Sequence, residues 1–196
     1  MNSPLDDFLP RFDARERHAV TVRAPAAEVF QAARQIDAQS ILLIRAIFRL
    51  RERFMGVTPP PRVPRAFLDE ALALGWGRLV ECPGRLFIAG AYCQPWQGNV
   101  VFTSIPSEHF RSFAEPGQVK IAWTIECRAL GPEKTELISE TRAHATDDAA
   151  RKRFLRYWRW ARFGIFPIRW LLLPAIQRQA EAAHRQGGVV ARRQDG

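Results

Sequence analysis

Lysine is nearly missing from this chain: only three of its 29 basic residues are lysines, at positions 120, 134 and 152. The cysteines are three, Cys82, Cys93 and Cys127, all inside apolar, strand-like runs. That odd number and apolar setting suit reduced thiols in a reducing compartment better than a disulfide framework. The four histidines, His18, His109, His144 and His184, are scattered, and no cysteine pair has zinc-site spacing, so no metal is expected. Gly75-Trp76-Gly77 is too short to cradle a phosphate, and no nucleophile-elbow pattern occurs. No cofactor is expected. Long apolar runs are missing as well. Residues 40–55 and 163–176 come closest to a membrane span, but arginines interrupt both and prolines interrupt the second. The opening MNSPLDDFLPRF carries early acids and no apolar h-region, so the expectation is a cytoplasmic protein.

What is present suffices for one core. A chain of 196 residues with 47% hydrophobic content fits a single domain. Its net charge of +9 favours encounters with anionic lipid headgroups, nucleic acid or acidic metabolites. Residues 16–23 (ERHAVTVR) set Ala19 and Thr21 against Val20 and Val22 and predict a strand. Pro25 fits the first turn of a helix through Val29 and Phe30. A second helix is expected over residues 40–54, where Leu43, Ile47, Leu50 and Phe54 form one stripe and Arg45, Arg49 and Arg53 the opposite face. TPPPRVP at 58–64 cannot continue it, because proline lacks the amide donor.

From Gly77 onward the pattern predicts strands over residues 78–82, 85–92, 110–114, 118–129 and 135–145. Pro83-Gly84, Pro116-Gly117 and Gly131-Pro132 punctuate them as turns of an antiparallel meander. A long terminal helix follows. Asp147 and Asp148 stand where carboxylates favour a helix N-terminus. Its core stripe runs through Ala150, Phe154, Trp158, Leu172, Ile176 and Ala180, and Gly164 and Pro167 predict a kink or short break. The expected limits are an N-terminal extension over 1–15, one domain over 16–184, and a disordered tail over 185–196.

This order of elements is that of an α+β helix-grip fold, a curved antiparallel sheet wrapped around the last helix. In RHAVTVRAPAAEVF (17–30), LALGWGRLVECPGRLFIAG (72–90), FRSFAEPGQVKIAW (110–123) and TELISETRAHATDDAARKRFLRYWRW (135–160), the chain resembles the START-like superfamily, also called SRPBCC. That superfamily includes pollen-allergen-like proteins, lipid-transfer domains and polyketide cyclases, and the likeness is nearest to bacterial members of unassigned function. The resemblance implies a hydrophobic small-molecule ligand, such as a lipid, isoprenoid or polyketide, held between sheet and terminal helix. The alternative it admits, behind noncatalytic binding, is a cofactor-free cyclase or dehydratase acting in the same place.

Apolar residues at element periodicity supply the lining candidates. They are Ile44 and Phe48 from the second helix, Phe87, Phe113, Trp123 and Ile125 from strands, Trp96 from a loop, and Phe154 and Trp158 from the last helix. Each can equally be ordinary core. Glu140, Arg142 and His144 share one strand face, and Glu126 with Arg128 can share it from the next strand. Turned inward, they would polarise a carbonyl and move a proton. The alternation of Val119, Ile121, Trp123 and Ile125 argues instead that the charged set lies on the convex, solvated face, leaving Ser139 and Thr141 as the inward polar groups. A second strip on the last helix, Trp160, Phe163 and Trp170 with Arg159 and Arg162, predicts contact with a membrane surface, a second copy of the chain, or the chain's own fold. No nucleic-acid-reading module is recognisable.

Overall fold

The structure is a computed structural model that describes residues 3–36 and 66–194, with side chains outside 162–170 and 188–194. The expected helix over 40–54, and with it Ile44 and Phe48, lies outside the described residues. A 3-10 turn (Pro4–Asp7) leads into β1 (Ala14–Val22) and α1 (Ala26–Gln35). Then come α2 (Phe67–Ala73), β2 (Gly77–Cys82), β3 (Leu86–Cys93) and the short α3 (Ser107–Phe110). β4 (Val119–Gly131), β5 (Lys134–Ala145) and α4 (Asp148–Gln194) complete the order.

The five strands form one antiparallel sheet in the order β1-β5-β4-β3-β2. Register aligns Glu16 with Thr141 and Trp123 across three strands, and His18 with Ser139. Because side chains alternate, these residues share one face, the one on which α1 and α4 pack. That face carries two apolar clusters. One joins Val22, Phe87, Trp123, Ile125, Cys127 and Leu137 to α1 and to Leu172, Leu173, Ile176 and Ala180 of α4. The other joins Ala14, Val119, Ala143 and Ala145 to Ala150 and Phe154 at the start of α4.

α4 starts where the paired acids predict. The Asp147 carboxylate accepts from the Ala150 amide at 2.8 Å and also from the Gly117 amide, and these backbone donors hold its carboxyl below the ordinary value. Free amides at a helix start favour the charged form. The helix then runs unbroken through Gly164, Pro167 and Pro174 to Gln194. Of the expected kink or short break at 164–167 the break is therefore absent, and the helical backbone continues past residue 185, where disorder was expected. Farther along, the Gln177 amide donates to the Thr21 carbonyl, and His184 contacts Glu28 at 2.9 Å.

Three further expectations need correction on the other face. Residues 110–114 are not a strand: α3 ends at Phe110, and Phe110 lies over Gly90, where a Cβ would stand 2.5 Å from its ring. Residues 3–13 are not an extension apart from the fold. Leu5 and Leu9 are buried in a third cluster with Leu79, Ile88, Ile105, Phe110 and Ala122, so the N-terminal segment roofs the convex side of the sheet. That side is consequently not solvated at its centre.

Gly75, between α2 and β2, has φ +98°, and a Cβ there would lie 2.2 Å from the Phe102 carbonyl oxygen. Gly75→Ala is expected to lose at least about 2 kcal/mol, from the left-handed conformation and the collision together. Urea denaturation measures it, and an unchanged midpoint would show that this turn is not held as described.

Candidate functional site

Between the two clusters on the helix-facing side, β1 and β5 present two consecutive polar rows. Glu16 stands opposite Thr141, and His18 opposite Ser139. Glu16 and Ser139 are buried, while His18 and Thr141 are half-buried. Successive residues on one strand face are separated by about 6.8 Å and cross-strand neighbours by about 5 Å, so four polar side chains occupy one small patch. Apolar residues bound it on the same strands, Ala14 and Ala143 on one side and Val20 and Leu137 on the other. α4 enters the cluster on one side of the patch at Ala150 and Phe154 and the cluster on the other side at Leu172.

Aromatic side chains flank the patch. Trp123, next to Thr141 across β4 and β5, lies 5.4 Å from Phe67, 6.1 Å from Trp76 and 5.6 Å from Phe87 between ring centroids. Trp76 in turn stacks on Phe102 at 4.7 Å. At the other end Phe154 and Trp158 are 5.7 Å apart, and Trp96 and Tyr157 pack beside them. A wall of aromatics with a few polar groups at one place is the usual make-up of a small-molecule site. The Cys127 thiol on this side is pushed up to about 12, by burial and by the neighbouring Glu126 charge, so it stays protonated and is no nucleophile at neutral pH.

Of the other candidates, Phe87, Ile125, Ser139 and Thr141 lie on the helix-facing side with Trp123. Phe113 does not. It stacks on Tyr92 at 4.6 Å on the opposite face, because the segment carrying it is a loop folded under the sheet. Glu126, Glu140, Arg142 and His144 are all on that opposite face too. Glu140 makes an expected cross-strand ion pair, with Arg15 of β1, but Glu140 and Arg142 are only 2% and 3% exposed. Arg142 donates to Glu140 at 2.7 Å, to Asp6 at 2.7 Å and to the Leu9 carbonyl at 2.9 Å, and Arg15 donates to Glu140 at 2.9 Å. Burial alone would raise the Glu140 carboxyl, yet the hydrogen bonds from Arg15 and Arg142 outweigh it and hold the group below its ordinary value. This network clamps the N-terminal roof and has no access to the helix-facing side.

His144 is 3.2 Å from Asp13, which also binds Arg151 at 2.7 Å, and Glu126 pairs with Arg128 at 3.0 Å. Lys120, also on the convex side, donates to the Phe110 and Arg111 carbonyls at 3.2 and 3.0 Å, and burial lowers its pKa. Among the described residues no group of three His, Cys, Asp or Glu side chains converges to hold a metal ion. Neither is any described helix long and apolar enough to cross a membrane.

The strand order, the meander from β2 to β5 and the long last helix laid across one face decide the architecture. The chain has the helix-grip fold. It is the arrangement to which the START-like resemblance pointed. No protein-family model and no curated protein matches this helix-grip chain. Solved structures do. A hypothetical protein from Helicobacter pylori is 10% identical, with 92% of this chain and 97% of that one covered and a TM-score of 0.42. The Zhui aromatase/cyclase from a Streptomyces species is 14% identical, covering 86% and 93%, with a TM-score of 0.28. Ara h 8.0201 is 11% identical, covering 86% and 98%, with a TM-score of 0.27.

Glu16 and His18 are polar residues of this face that were not among the candidates. A signal was there: period two from Val20 and Val22 places both on the same face of β1. The charged residues of β5, a more conspicuous polar set in the sequence, belong to the convex side.

Proposed function

We propose that the protein binds a hydrophobic small molecule between the sheet and α4, its apolar body against the Trp123 aromatic group and its polar end at Glu16, His18, Ser139 and Thr141. The observation carrying this reading is the polar patch between two apolar clusters on the helix-facing side. A buried carboxylate and two hydroxyls there give a ligand hydroxyl or amine charge-assisted and neutral partners, while the aromatics exclude water. The ligand class is a lipid, isoprenoid or polyketide bearing such a group.

Native mass spectrometry of the purified chain, followed by denaturation and organic extraction, tests it. A stoichiometric amphiphile is expected, and its occupancy is expected to fall at least about tenfold in Ser139→Leu/Thr141→Leu, because unpaired buried polar groups on the ligand cost on the order of 1–3 kcal/mol. A clean apo mass, with no thermal shift against lipid and polyketide panels, would sink the reading.

A second reading, cyclase or dehydratase chemistry, draws on the placement of Glu16 one row from His18 on that face. A carboxylate and an imidazole so placed can accept and deliver a proton. Return of the extracted compound in a chemically altered form, blocked in Glu16→Gln with binding intact, would favour it over simple binding.

A further inference from the structure

Between Asp148 and Glu181 the chain has no acidic residue and eight basic ones. In the first turns of α4, Lys152, Arg153, Leu155, Arg156, Arg159 and Trp160 are all exposed, while Ala150 and Phe154 face the sheet. Trp160 is 70% exposed and Leu155 42%, so two large apolar side chains stand in solvent beside the basic residues of the same face. At 100° per residue these six exposed positions fall within about 160° of the helix circumference, opposite the buried stripe. The Arg159 guanidinium lies 5.7 Å from the Trp160 ring centroid, so charge and aromatic surface are contiguous.

We propose that this face of α4, from Lys152 to Trp160, docks on an anionic lipid surface. Four positive charges with no carboxylate among them complement a layer of anionic headgroups. Trp160 and Leu155 supply the apolar contact that a merely electrostatic partner would not use, and tryptophan is suited to the boundary between headgroup and acyl chain. The helix lies flat: no described helix is fit to span. Nucleic acid would share the charge complementarity but leaves Leu155 without a role. The inference is independent of the ligand reading. The expected Phe163, Arg162 and Trp170 lie outside the described side chains, so the docking face rests on residues 152–160 alone.

Co-sedimentation of the full chain with vesicles tests the proposal, comparing phosphatidylcholine alone with phosphatidylcholine containing phosphatidylglycerol. Binding is expected to the anionic vesicles only, and to be released by high salt. Each basic residue near such a surface contributes about fivefold, so Arg156→Glu/Arg159→Glu is expected to weaken binding by well over tenfold. Trp160→Ser is expected to weaken it severalfold without changing the salt dependence. All three positions are exposed, and circular dichroism of the variants confirms folding. Absence of binding to anionic vesicles at low salt would overturn the proposal, as would full binding by the charge-reversed variant. Tighter binding to RNA than to vesicles, lost in the same variants, or a dimer abolished by Trp160→Ser, would reassign the face.

Discussion

Arg142→Ala is expected to cost about 3–5 kcal/mol, because it removes one member of a buried ion network and strands the others. Glu140, nearly fully buried, would lose the 2.7 Å Arg142 bond and keep its two Arg15 bonds at 2.9 and 3.4 Å and the 3.8 Å approach of Arg17. The Leu9 carbonyl and Asp6 would lose their guanidinium partner, and with it the N-terminal roof its tether to the sheet. For a chain of this length that cost corresponds to a fall in Tm on the order of 10 °C. Calorimetry measures it, and limited proteolysis near residue 12 is expected to accelerate in the same variant. The double replacement Glu140→Leu/Arg142→Met is expected to be milder than the single one, since no buried charge is then left alone. A single variant as stable as the parent would show that the network contributes nothing to the fold.

The same network sets an acid limit. Glu140 and Asp6 both have carboxyl values held below the ordinary 4.5 and 3.8. For Asp6 the leading cause is the Arg142 hydrogen bond; for Glu140, burial opposes and the two arginines prevail. A group with a depressed folded value stabilises the fold above its unfolded value, and that contribution is lost as pH falls through the folded one. Stability is therefore expected to decline below about pH 4.5, with a shallower decline in the double replacement.

Trp123→Ala is expected to cost about 3–5 kcal/mol, the range for emptying a large aromatic site in a core. Trp123 is 8% exposed and its ring meets three other aromatics on α2, β2's approach and β3, so no single neighbour can collapse into the space. If this cluster forms the apolar wall of the binding site, the variant also loses the ligand carried through purification. Phe113→Ala separates the two effects. It is expected to reduce stability through loss of the Tyr92 stack while leaving ligand occupancy unchanged, since it lies across the sheet. Equal ligand loss in both variants would place the site elsewhere.

Much of the architecture was legible because its signals are local. The residue pairs at 83–84 and 116–117 place turns, with Gly84 and Gly117 at φ +75° and +78°. The inward alternation of Val119, Ile121, Trp123 and Ile125 put the correct face of β4 toward the helices. Asp147 marked the start of α4 through the amides it accepts from. Phe110 misled, since an aromatic beside Phe113 reads as a strand while its burial comes from lying over Gly90. At Pro167 proline removes one hydrogen bond without breaking α4, which is packed on the sheet at Ala150 and Phe154 before it and at Leu172, Ile176 and Ala180 after it.

Sequence alone determined the strands apart from the one expected at 110–114, the buried stripe of the last helix and its one-signed charge, because each follows from side-chain type at fixed spacing along one element. Tertiary structure decided what covers the convex face and which polar residues meet on the other. A buried Arg142 depends on Asp6 and Leu9, more than a hundred residues away in the chain. The Glu16–Thr141 and His18–Ser139 rows depend on a β1–β5 register that brings the first strand beside the last. Such pairings are set by long-range packing, whose energies no local run of residues carries.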